Sequence, residues 1–76
     1  MNSARRKAIA NAQALLEEAK GIIEECQNDE QEFYDNMPEN MQSGEKGEKA
    51  TASADALQQA ADNIEEAFQN CETAAE

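Results

Sequence analysis

Residues 30–49 read EQEFYDNMPENMQSGEKGEK, and the reading of this stretch decides the fold. Seven-residue apolar repeats run toward it from both sides and break inside it. It holds the only proline, Pro38, and two of the three glycines, Gly44 and Gly47. Proline cannot continue a helix and pushes Met37 away from helical backbone. Asn36 and Asn40 are turn formers. The stretch is therefore the corner of a helical hairpin: a helix over about 4–35, a turn over about 36–42 and a helix over about 43–75. Pro38 is also placed to open one short helical turn through Gln42.

Working outward toward the N-terminus, three apolar columns recur every seven residues. They are Ala12, Ala19, Cys26 and Phe33; Ala8, Leu15 and Ile22; and Ile9, Leu16 and Ile23. A two-stranded seam needs only two columns, so this stripe is wide enough for two neighbours. Ser3 is the expected N-cap. Arg5, Arg6 and Lys7 in the first turn oppose the helix dipole, and a hairpin brings Glu72 and Glu76 close enough to compensate.

On the other side of the corner, Ser43 is the expected N-cap. Ala50, Leu57, Ile64 and Cys71 form one column; Ala54, Ala61, Phe68 and Ala75 a second; Ser53, Ala60, Ala67 and Ala74 a third. The second column extends back to Gly47, and glycine in a helix costs about 1 kcal/mol against alanine. Its presence there predicts something bulky against the backbone. Folding about residue 40 places Phe33 opposite Gly47, Cys26 opposite Ala54, Ile22 opposite Leu57, Leu15 opposite Ile64 and Ala12 opposite Phe68. Large side chains then meet small ones along the seam. Ile9, Leu16 and Ile23, with Ala60 and Ala67, would stay wet in a monomer and are the expected self-association residues. The fold class expected is all-α: an antiparallel two-helix, coiled-coil-like hairpin that dimerises into a four-helix bundle.

Composition bounds the function. Seventy-six residues make one small domain, marginal unless its packing is regular or it oligomerises. Such charge with so little hydrophobicity suits a disordered chain, but the apolar positions are too regularly spaced for one. A net charge of −11 repels phosphate backbones and anionic membranes and suits a partner with a basic surface. No stretch approaches the ~20 apolar residues of a membrane span, and no secretory leader is visible. Cys26 and Cys71 lack zinc-site or redox spacing and would lie on the order of 25 Å apart in the hairpin at 1.5 Å per residue, which excludes an intrachain disulfide. Reduced thiols and a cytoplasmic setting are expected.

Chemistry is sparse. Paired carboxylates such as Glu17-Glu18, Glu24-Glu25, Asp29-Glu30 and Glu65-Glu66 lack the desolvated pocket that acid catalysis needs. Asp29, Glu30, Glu32 and Asp35 resemble a calcium loop in composition but not in spacing. Without histidine, a di-iron carboxylate bundle is excluded. No enzymatic role, cofactor or metal is expected. Glu24, Glu25, Asp29, Glu30, Glu32, Asp35 and Glu39 form a run without a base at the corner end. This is either a solubilising face or an acidic docking surface that imitates nucleic acid in a groove lined with Lys and Arg. Phe33 is expected to plug the bundle end and Tyr34 to serve as a partner anchor.

The segment from Glu30 to Ala50, above all Asp35-Asn36-Met37-Pro38-Glu39-Asn40, resembles short acidic proteins of bacteriophages and related mobile elements that carry an EQExxDNMPENxQ-like corner before an Ala/Glu-rich helix. The resemblance implies a phage product acting in a bacterial cytoplasm and transfers no functional residues. The leading expectation is a non-enzymatic inhibitor of a host antiviral-defence or nucleic-acid-handling protein, acting by occlusion or DNA mimicry. A self-associating assembly protein is the second. An oligomer that sequesters a small ligand, with Arg5, Arg6 and Lys7 converging, is the third.

Overall fold

A computed structural model describes residues 1–76. The chain is an all-helical hairpin without strands: α1 spans Ser3–Asp35, α2 Glu39–Gln42 and α3 Glu45–Ala75. Helices of 33 and 31 residues are about 50 and 46 Å long at 1.5 Å per residue. Laid side by side they give a rod of 58 × 15 × 12 Å. Its radius of gyration is 17.2 Å, far above the ~11 Å of a compact globule of this length.

The caps differ from expectation by one residue at each start. Asn2, not Ser3, caps α1: its backbone is extended and its Oδ1 accepts from the Arg5 N–H at 2.8 Å. That satisfies one of the free donors of the first turn. Gly44, not Ser43, precedes α3, in extended backbone and with no side-chain cap. Ser43 is already the helical residue that closes α2, so its hydroxyl is not positioned to cap. Glu45 and Glu48 supply negative charge to the first turn of α3 instead.

The corner is built from backbone bonds. Asn36 N–H donates to the Glu32 carbonyl and Met37 N–H to that of Tyr34, which ends α1. Extended backbone at Pro38 redirects the chain. The Pro38 carbonyl then accepts from both Met41 and Gln42, closing the single turn of α2. The Gln42 side chain ties this turn back to α1 by donating Nε2 to the Tyr34 carbonyl at 3.1 Å. Met37 is buried beneath it.

Gly47 is also buried, but what presses on it is not Phe33. It is the backbone of Gln42 at the end of α2: a Cβ on Gly47 would collide with the Gln42 carbonyl and stand 2.7 Å from its Cα. The rest of the seam on α3 mixes small and large residues, with Ala50, Ala54 and Ala61 buried and Leu57, Ile64, Phe68 and Cys71 half-buried.

Four contacts define the register. Arg6 Nη2 donates to the Glu76 main-chain oxygen at 3.3 Å, Gln13 Nε2 to the Phe68 carbonyl at 3.2 Å, Lys20 Nζ to Glu65 at 3.0 Å and Gln27 Nε2 to Gln58 at 2.7 Å. Arg6 and Gln13 bond within two residues of the expected pairing, whereas the bonds of Lys20 and Gln27 are displaced from it by five. The Glu72 and Glu76 carboxylates form no ion pair with the basic first turn; Arg6 reaches main chain there instead.

The face that α1 turns to α3 is the principal correction. Gln13, Lys20, Gln27 and Tyr34 occupy one column of the seam, and Ile9, Leu16 and Ile23 the other, half-buried rather than wet. The helix is rotated by about one residue, ~100°, from the expected facing. Three polar side chains long enough to span the seam find acceptors on α3, and their stems cover its alanines. The columns expected in the seam are left outside. Leu15, Ile22 and Phe33 are 58%, 56% and 55% exposed, and Ala8, Ala12 and Cys26 are exposed with them. Phe33 therefore does not close the end of the hairpin.

The two glycines inside helices make opposite predictions. Nothing lies within 4 Å of a Cβ on Gly21, so Gly21→Ala is expected to stabilise the chain by about 1 kcal/mol through helix propensity. Gly47→Ala is expected to lose roughly 1–3 kcal/mol as the Gln42 backbone is displaced. Thermal unfolding of both variants by circular dichroism tests this. A gain in melting temperature for Gly47→Ala would show that α2 is not pressed against α3.

Candidate functional site

Two surfaces emerge once the helices are placed. The first is the acidic corner. Glu24, Glu25, Asp29, Glu32, Asp35 and Glu39 are exposed and Glu30 is half-buried. None takes part in an ion pair, because the only two in the chain are Lys20–Glu65 and Lys49–Glu45. Asp35 accepts from Gln31 Nε2 at 3.0 Å, a neutral donor that leaves its charge unopposed. Helical spacing divides the acids. Glu25, Asp29 and Glu32 share one flank of α1, while Glu24 and Asp35, three turns apart, share another. No group of three or more carboxylates and thiols is gathered closely enough to hold a metal ion.

Beside the acids lies an open cleft of about 320 Å³ lined by Phe33, Asn36, Met37, Pro38, Met41 and Lys46. Phe33, Met37 and Pro38 were recognisable as an apolar cluster in the sequence. Met41 and Lys46 were not, because only the turn of α2 and the start of α3 bring them beside it. Tyr34, the expected anchor, is half-buried and turned toward the seam. It lies in the column of Gln13, Lys20 and Gln27.

The second surface runs the length of the rod. The cross-helix bonds of Gln13, Lys20 and Gln27 all lie on one side of the seam, making that side polar. On α3 it is extended by Gln58 donating to Asp62 and Gln69 to Glu65. The opposite side is apolar on both helices. α1 contributes Ala12, Leu15, Ala19, Ile22, Cys26 and Phe33; α3 contributes Ala60, Ile64, Ala67 and Cys71, all four half-buried. Both thiols are free. No helix is long and apolar enough to cross a membrane.

No family model, curated protein or solved structure matches the chain.

Lys20–Glu65 is the one ion pair that joins α1 to α3. The hydrogen bond and charge of Glu65 hold the Lys20 ammonium above its ordinary 10.5, and those of Lys20 hold the Glu65 carboxyl below its ordinary 4.5. A depressed carboxylate contributes stability that is present above 4.5 and lost as pH falls through the folded value. A raised ammonium contributes stability present below 10.5 and lost as pH rises through the folded value. The stability difference between the parent chain and Lys20→Met should therefore be constant at neutral pH and shrink as pH falls below 4.5 or rises above 10.5. Urea midpoints across the acid range and at neutral pH measure it; a difference that stays unchanged throughout the acid range would show that the pair does not hold the helices together.

Proposed function

We propose that this chain is a non-enzymatic binding protein whose acidic corner docks on a basic surface of a partner protein. The observation that carries this reading is the seven carboxylates around the corner with no ion pair among them. Unpaired like charges in one region cost stability by mutual repulsion, and a surface rich in Lys and Arg relieves it. Grooves that bind nucleic acid are surfaces of that kind, and a rod 15 Å across carrying carboxylates along its outer flank has the breadth to occlude one. The cleft beside Pro38 offers an apolar seat for one side chain of the partner. An inhibitor of a host antiviral-defence or nucleic-acid-handling protein, made by a phage and acting in the host cytoplasm, is the form of this reading that the corner motif implies.

Such binding should weaken steeply with salt, since the contacts are exposed charges screened over ~8 Å at physiological ionic strength. The immobilised chain, incubated with the heparin-binding proteins of a bacterial lysate, is expected to retain basic nucleic-acid-handling proteins at low salt and release them by ~0.5 M salt. Glu24→Lys/Asp35→Lys/Glu39→Lys is expected to retain none of them. Equal retention by that variant, or no basic protein retained by the parent chain, would refute the acidic-corner reading.

A second reading is favoured by the apolar side of the rod: self-association of two hairpins into a four-helix bundle. Only five of 76 residues are buried in the single chain, four of them Gly47 and small alanines, and chains this short commonly need oligomerisation to secure a core.

A further inference from the structure

We infer that the apolar side of the rod is the seat of a second copy of this chain, docked antiparallel so that α1 lies against α1 of the other copy and the two corners point to opposite ends. The inference rests on the self-association reading and adds orientation and register to it.

Area and charge select this occupant. The side of the rod measures 58 Å by 15 Å, an outline of about 870 Å², which gives room for the ~800 Å² per partner of a standard stable interface. Two orientations close a twofold bundle. With corners together, α1 of one copy faces α3 of the other. The unpaired acids of both corners then share one end, and only Lys46 and Lys49 are near to offset them.

With corners apart, the chain's own charges become complementary toward both ends of α1, and only the two Glu18 side chains meet as like charges near the axis. Lys7 is exposed and makes no ion pair. Lys7, Glu18 and Asp29 recur every eleven residues and so share one line of α1, beside the apolar face. Glu25 and Glu32 flank the same line. When two α1 helices of 33 residues overlap fully in antiparallel, residue 19 meets its own counterpart and residue 7 stands level with residue 31. Lys7 of each copy is then within a turn of Asp29 and Glu32 of the other. Glu24, Asp35 and Glu39 stay outside, so the acidic corner remains free for its partner.

The same register suits the core. Ala19, a small residue, sits at the symmetry axis and lets the helices approach. Leu15 of each copy stands beside Ile22 of the other, and Ala12 stands level with Cys26.

Sedimentation of the 8.3 kDa chain is expected to give twice that mass. Leu15→Asp/Ile22→Asp should weaken the dimer on the order of a hundredfold, as loss of central anchors does. Lys7→Glu should weaken it roughly tenfold, with Lys7→Glu/Asp29→Lys/Glu32→Lys restoring it. Orientation is read separately in Ala12→Cys/Cys71→Ser. Within one chain, residues 12 and 26 are about 21 Å apart, beyond disulfide reach. Mild oxidation should therefore yield a covalent dimer through Cys26. A monomeric parent chain would refute self-association altogether. A dimer that forms no such crosslink and ignores Lys7→Glu would keep self-association and refute the antiparallel arrangement.

Discussion

How closely two helices can lie depends on what stands between their backbones, and at the most enclosed positions of α3 almost nothing does. Gly47, Ala50, Ala54 and Ala61 are the residues of α3 that are most enclosed, and none carries more than a methyl group. Such a strip offers little apolar area per residue to remove from water. Its contribution is close backbone approach and dispersion contact along the rod. α1 answers with Ile9, Leu16 and Ile23 and with three long polar side chains whose stems pack and whose heads bond across. At the corner the same rule is enforced without tolerance: Gln42 rests on bare Gly47, so the reversal of the chain and the first turn of α3 form one packed unit.

That economy of side chains explains both surfaces. Because Ile9, Leu16 and Ile23 and the polar stems of α1 cover the α3 seam, Leu15, Ile22 and Phe33 are not used within the hairpin. They are contiguous and share a side with Ala60 and Ala67. The acids are concentrated toward the corner for a complementary reason: Arg5, Arg6 and Lys7 lie at the end of α1 away from it and Lys20 at the middle of the helix. The rod is thus apolar against polar across its width, and basic against acidic along α1.

The hairpin itself was legible in the sequence because it rests on strong signals: a unique proline, glycines clustered at the break and heptads on both sides. The single turn after Pro38 and the two columns of α3 were legible for the same reason. The facing of α1 was not. Hydropathy ranks Ala12, Cys26 and Phe33 above Gln13, Lys20 and Gln27, so periodicity selected the more apolar pair of columns. What decides the facing is cross-helix bonding by flexible amides and an ammonium, which depends on the acceptors α3 presents at each level. Gly47 signalled a close approach correctly, but spacing could not say that the intruder was the Gln42 backbone rather than the Phe33 ring. Of the corner site, the acids were read directly, whereas Met41 and Lys46 join it only through the fold of α2.

The contact between Arg6 and Glu76 puts both ends of the rod's two long helices at one pole, with the reversal at the other. Tension applied through residues 6 and 76 would act across the seam and open it rung by rung, parting Gln13 from Phe68 before Lys20 from Glu65 and Gln27 from Gln58. Tension between the corner and either end would instead have to slide one helix along the other against all of those rungs at once. The molecule is therefore mechanically anisotropic, a zipper from its open pole and a strut from its closed one.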